Sequence, residues 1–151
     1  RCSAEARAAF FTRAPPHRMK FSREHPLAIS SPMHEEMRAL LPLVEGCQTV
    51  RLAGRDFHVG HIARQPVVLV LSGIGKVAAG ATTALLLSHF HAGAVVFSGV
   101  AGGLGAGVRV GDIVVANGHL QHDMDCSPLF PRFEVPLTGQ ARFAADATLT
   151  A

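Results

Sequence analysis

Residues 67–76 read VVLVLSGIGK. Val67, Val68, Leu69, Val70 and Leu71 follow one another with no polar residue between them. Such a run predicts a strand buried on both faces, as in a parallel sheet covered by helices. Ser72-Gly73-Ile74-Gly75-Lys76 then predicts a tight turn out of the strand. From Val77 to about Phe90 the chain is rich in Ala and Leu and predicts a helix. Its small residues Ala78, Ala79, Gly80 and Ala81 allow close packing on a sheet. Strand, glycine turn and helix in this order belong to the α/β class.

The pattern recurs downstream. Ala94-Val95-Val96-Phe97 predicts a second buried strand, followed by Ser98-Gly99-Val100-Ala101-Gly102-Gly103-Leu104-Gly105. Residues 108–112 predict a turn and residues 113–116 a strand. Residues 117–139 are irregular and polar, with Pro128, Pro131 and Pro136, and predict a long loop. From Gln140 the spacing of Ala141, Phe143, Ala144, Ala147 and Leu149 predicts a helix.

Upstream, residues 27–30 predict a short buried strand. Ser31 and Pro32 read as N-cap and first residue of a helix running to Leu41, with Met33, Met37, Leu40 and Leu41 on one stripe. Pro42 ends that helix. Residues 49–52 and 57–62, joined by Ala53-Gly54-Arg55-Asp56, predict a hairpin. Residues 1–26 carry no hydrophobic period and are expected to be a poorly ordered or artefactual extension, with a natural start at Met19. Residues 27–151 are expected to form the domain.

The composition narrows the class. Of 151 residues, 48% are hydrophobic and 17% charged, which excludes a wholly disordered chain. No apolar run approaches the ~20 residues that span a bilayer, so no membrane partner is expected. The net charge of +3 owes much to Arg1, Arg7, Arg13, Arg18, Lys20 and Arg23 near the start, set against Glu5. With no Trp or Tyr to stack on bases, nucleic acid is not an expected partner. Cys2, Cys47 and Cys126 are odd in number and far apart, which fits a reducing, cytoplasmic setting rather than a disulfide framework or zinc site.

In α/β sheets ligands bind at the carboxyl ends of strands. Both glycine turns fall there, and glycine lets main-chain groups approach a ligand closely. The first turn lacks the G-x-x-x-x-G-K-[ST] of a phosphate loop, since Val77 stands where the hydroxyl is needed, and it lacks the third glycine of G-x-G-x-x-G. The second is the stronger candidate, with main-chain groups facing a planar ligand edge. Glu35 and Glu36 suit the first turn of a helix electrostatically. Either could also overhang the sheet ends and orient a water. His119, His122, Asp123 and Asp125 match no metal spacing and are expected to fix the loop or form a subunit contact. No metal and no cofactor are expected.

Three motifs together resemble the bacterial 5′-methylthioadenosine/S-adenosylhomocysteine nucleosidases of the purine and uridine phosphorylase superfamily. They are Met33-His34-Glu35-Glu36; Ser72-Gly73-Ile74-Gly75-Lys76-Val77-Ala78-Ala79; and Gly102-Gly103-Leu104 followed by residues 110–115 and His122-Asp123. The resemblance runs from about Leu27 to Asp123. It implies a three-layer α/β/α fold with a central mixed sheet, here truncated at the C-terminus, and a homodimer when full length. It also implies hydrolysis of an N-glycosidic bond to release adenine from a small nucleoside. By the same resemblance Glu36 is the catalytic carboxylate that handles water, with Glu35 in its place if the register slips by one. Met33 lines the ribose, Ile74 the alkylthio group, and Val100, Ala101 and Gly102 the purine and ribose edge. This chain departs from the family at Val100, where many members carry a hydroxyl, at Ser31-Pro32, which replace Gly-Ala, and at His34, which replaces an acid.

The family's Met-Glu-x-Glu ribose clamp and its late purine-protonating Asp are not in the sequence, so the chain alone is expected to be inactive. The runner-up is a phosphate-dependent nucleoside phosphorylase, disfavoured because Glu36 would repel phosphate. A reading of another class is a non-catalytic nucleoside-binding module or inactive fragment.

Overall fold

The computed structural model describes residues 24–151, so the expectation for the N-terminal extension lies largely outside the described residues. Two compact units divide the chain, one up to Ala101 and one from Gly102.

The first unit holds a five-stranded sheet. Its strands are β1 (Leu27–Ser31), β2 (Glu45–Leu52), β3 (Arg55–Ile62), β4 (Gln65–Leu71) and β5 (Ala94–Phe97), in the order β2-β3-β4-β1-β5. β1 runs parallel to both β4 and β5, while β2, β3 and β4 pair antiparallel. The sheet is therefore mixed, as expected. Val67, Val68, Leu69 and Val70 of β4 are all buried, so both faces of that strand are covered. Alternation along the strands sends Ala28, Phe57, Val68 and Val70 to one face, where they meet Leu86 and Ala92. Val67 and Leu69 go to the other face with Met37 and Val44. Helices on both faces give the three layers.

Helix α1 spans only His34–Met37, shorter than the expected run from Pro32 to Leu41. Beyond Arg38 the backbone tightens to i→i−3 bonds, Leu40 N–H to Met37 O and Leu43 N–H to Leu40 O, and Leu41–Leu43 form a 3₁₀ turn. Pro42 cannot donate to the carbonyl four residues back, so the α pattern cannot continue. Ser31 is not the N-cap. It is the last residue of β1, and Met33 caps α1.

Helix α2 spans Lys76–Ser88, close to the expected helix. Phe90 just beyond it stacks on Phe57 with ring centroids 4.6 Å apart. The hairpin forms with a shorter turn than expected. Ala53 and Gly54 both take positive φ, a two-residue type I′ turn, and Arg55 and Asp56 join β3. Ala63 and Arg64 make the same kind of turn between β3 and β4.

The second unit is mostly irregular. Its regular pairing is between β6 (Gly118–His119) and β7 (Phe143–Ala144). Residues 113–116, expected as a strand, have no assigned strand partner, and Ile113, Val114 and Val115 are exposed. A strand needs a hydrogen-bonded neighbour, and hydrophobicity alone does not supply one. The helix expected from Gln140 does not form either, because Phe143 and Ala144 pair with β6. A single turn begins later, where Asp146 Oδ1 accepts from the N–H groups of Thr148 and Leu149 at 2.8 and 3.2 Å. That is N-cap chemistry six residues further on. The loop expectation holds for most of residues 117–139. Asp125 fixes part of it by accepting from Ser127 N–H at 3.0 Å.

Candidate functional site

Strand order places the site. The chain leaves β1 on one side towards α1 and β2, and leaves β4 through α2 to reach β5 on the far side of β1. The carboxyl ends of β1, β4 and β5 thus lie side by side at a topological switch point. Ser72 N–H donates to Ser31 O at 2.9 Å, and Ser98 N–H to Ser30 O at 3.0 Å, tying the three ends together.

A cleft of about 450 Å³ opens above these ends. The segment after β1 contributes Pro32, Met33 and Glu36; that after β4 contributes Gly73, Ile74, Gly75, Lys76 and Ala79; β5 and its turn contribute Phe97 and Val100. Gly73 and Gly75 have φ of +77° and +105°, values that side chains disfavour, which lets the turn fold back into the helix. Ile74 between them is left exposed on the cleft wall.

Glu36 is the carboxylate of this cleft. Its Oε2 accepts from Met33 N–H at 2.9 Å and its Oε1 from Val100 N–H at 2.8 Å. Both bonds are charge-assisted. Each oxygen keeps a further lone-pair position, enough to accept from a water or hydroxyl in the cleft.

Of the expected site residues, Met33, Glu36, Ile74 and Val100 come together here. Ala101 is exposed and does not line the cleft, and Gly102 begins the second unit. Glu35 lines a separate hollow with His34, Met37, Arg38 and Leu41. Sequence reasoning missed Phe97 and Pro32 as lining residues and took Lys76 only as part of the first glycine turn. Position alone could have found Phe97 and Pro32, since each sits at or just past the end of a strand. Lys76 is the one cation among the described lining residues. Among the described residues no group of three His, Cys, Asp or Glu gathers as a metal site.

This switch-point cleft with a carboxylate over the sheet ends defines an α/β protein with a small-molecule site, and the comparisons place it in a family. Residues 26–151 match the family model of the Phosphorylase superfamily, and the chain belongs to that family. It is 39% identical over 123 residues to the 5′-methylthioadenosine/S-adenosylhomocysteine nucleosidase of Geobacillus kaustophilus (strain HTA426), over 81% of this chain and 52% of the relative. The crystal structure of that nucleosidase from Neisseria meningitidis, in complex with methylthio-immucillin-A, superposes with a TM-score of 0.80 at 36% identity, covering 83% of this chain and 54% of the other. The native futalosine hydrolase of Helicobacter pylori is also similar, with a TM-score of 0.77 at 30% identity and coverages of 83% and 54%. The chain thus spans about half the length of the curated relatives it matches. Among the described residues no helix is long and apolar enough to cross a membrane.

Proposed function

We propose that this chain supplies the water-handling half of a site that hydrolyses the N-glycosidic bond of 5′-methylthioadenosine or S-adenosylhomocysteine and releases adenine. The observation that carries the reading is the Glu36 carboxylate, held by Met33 N–H and Val100 N–H at the end of the parallel strands and facing an apolar cleft. As the purine leaves, the sugar becomes oxocarbenium-like. A carboxylate beside it stabilises that charge and takes a proton from the attacking water. Met33 and Ile74 present apolar surface to the sugar and its sulfur substituent, while Val100 serves the purine edge. In this reading residues 27–151 are the N-terminal part of one phosphorylase-type domain, residues 1–26 are an extension to it, and the whole protein is a cytoplasmic homodimer that binds no nucleic acid.

Phosphorolysis is the second reading, and Lys76 in the cleft lining is the observation that favours it. Steady-state adenine release by the full-length protein, measured with and without inorganic phosphate, separates the two. Hydrolysis proceeds equally in both, and Glu36→Gln lowers kcat by about 10²–10⁴-fold, the range for losing a general base. Strict phosphate dependence, or full activity of Glu36→Gln, overturns the hydrolytic reading.

A further inference from the structure

Gly99 follows β5 by two residues and precedes the residue whose N–H holds Glu36. Its φ is outside the left-handed region, so the backbone conformation alone does not call for glycine. Space does. A Cβ at this position would lie 3.0 Å from Glu36 Oε1, 3.4 Å from Glu36 Cδ and 3.4 Å from Phe97 Cε1. The carboxylate is no loose side-chain end that could swing aside, because Met33 N–H and Val100 N–H already hold both of its oxygens. Moving it away from a new methyl group would lengthen or break the 2.8 Å bond from Val100.

We propose that Gly99 is a positioning residue for Glu36: its missing side chain lets the turn after β5 close on the carboxylate, so that Val100 N–H sets where the carboxylate points. The functional part of this inference rests on the reading of Glu36 as the water-orienting carboxylate. Glycine here serves an internal contact between main chain and carboxylate and not, as its sequence context suggests, the face of a planar ligand. The turn and the carboxylate form one unit, and a change in either misplaces the other.

A double-mutant cycle between Gly99→Ala and Glu36→Ala tests the contact itself. If the added methyl group meets the carboxylate, Gly99→Ala lowers Tm in the parent protein and has little effect once the Glu36 side chain is gone. An equal loss in both backgrounds overturns the proposal. In folded Gly99→Ala, the Val100 amide loses its carboxylate-bonded ¹H shift, and its hydrogen exchange accelerates about tenfold or more. A parent-like Val100 amide overturns the proposal. In adenine-release assays of the full-length protein, Gly99→Ala lowers kcat by about tenfold or more with KM changed less than about threefold, since it misplaces a reacting group and not the binding surface. A change confined to KM overturns the positioning role. Gly80→Ala is the control, because Gly80 is exposed in α2 with open space where a Cβ would sit. It leaves the Val100 amide and kcat unchanged. If the full-length parent protein releases no adenine, the nucleosidase reading fails, and the Tm cycle and the Val100 amide still decide the role of Gly99.

Discussion

Ser31 Oγ is buried at the end of β1 with no hydrogen-bond partner among the described residues. An unsatisfied buried hydroxyl costs about 1–3 kcal/mol, whereas a methyl group in its place costs little. Ser31→Ala is therefore expected to stabilise the protein by about 1 kcal/mol, a rise in Tm of about 3 °C for a chain of this size. A lower Tm on thermal unfolding would show that the hydroxyl has a partner. Asp125 gives a pH-dependent case. The Ser127 hydroxyl and the Ser127 N–H hold its carboxyl below the ordinary aspartate value, partly opposed by desolvation, with a lesser lowering from the Arg132 guanidinium. The folded value is depressed, so the turn is held above the ordinary carboxylate range and is released as pH falls through that lowered value. The Ser127 amide ¹H shift should titrate with a midpoint below that of an unperturbed aspartate; a midpoint at or above it contradicts this account. At this scale the acidic pair Glu35-Glu36 was legible, and the structure puts Glu36 in the cleft and Glu35 in another hollow. Ser31 was misread as a cap, because an N-cap and the end of a buried strand share the same residue preferences until the packing is known.

At the scale of elements, β4 and α2 were legible almost to their ends, since an unbroken aliphatic run and an Ala/Leu-rich segment carry strong signals. The turn between β3 and β4 was not. Ala63 and Arg64 adopt φ of +47° and +68° without the Asn or Gly that marks such turns in sequence. Residues with a Cβ are strained there, so Ala63→Asn combined with Arg64→Gly should raise stability by about 1 kcal/mol. Chemical denaturation reads this as a higher midpoint at unchanged slope. A lower midpoint would mean that the Ala63 and Arg64 side chains contribute more than the strain costs. Residues 113–116 and the segment from Gln140 show the opposite failure. Their patterns suggested elements, but a strand requires a partner, and pairing with β6 claimed Phe143 and Ala144 first.

At the scale of the whole molecule, the cleft combines residues separated by 64 positions, Glu36 and Val100, through a single 2.8 Å bond. In the proposed reading Glu36 handles water, and among the described lining residues there is no second carboxylate to protonate a leaving purine. The 151-residue chain by itself is accordingly expected to release no adenine from 5′-methylthioadenosine. Chromatographic detection of adenine at an enzyme-like rate would show that one carboxylate suffices.

The sequence by itself determined the α/β class, the central buried strand, the helix after it and a carboxylate at position 35 or 36, because periodicity, glycine turns and short motifs are local properties of the chain. Only the tertiary structure decided that β1 lies between β4 and β5, that Phe97 and Lys76 share a cleft with Glu36, that Glu35 belongs to another hollow, and that Gly99 makes room for a carboxylate. Those facts depend on which strand ends become neighbours. Strand order is set by hydrogen bonds and packing between distant segments, and no local pattern encodes it.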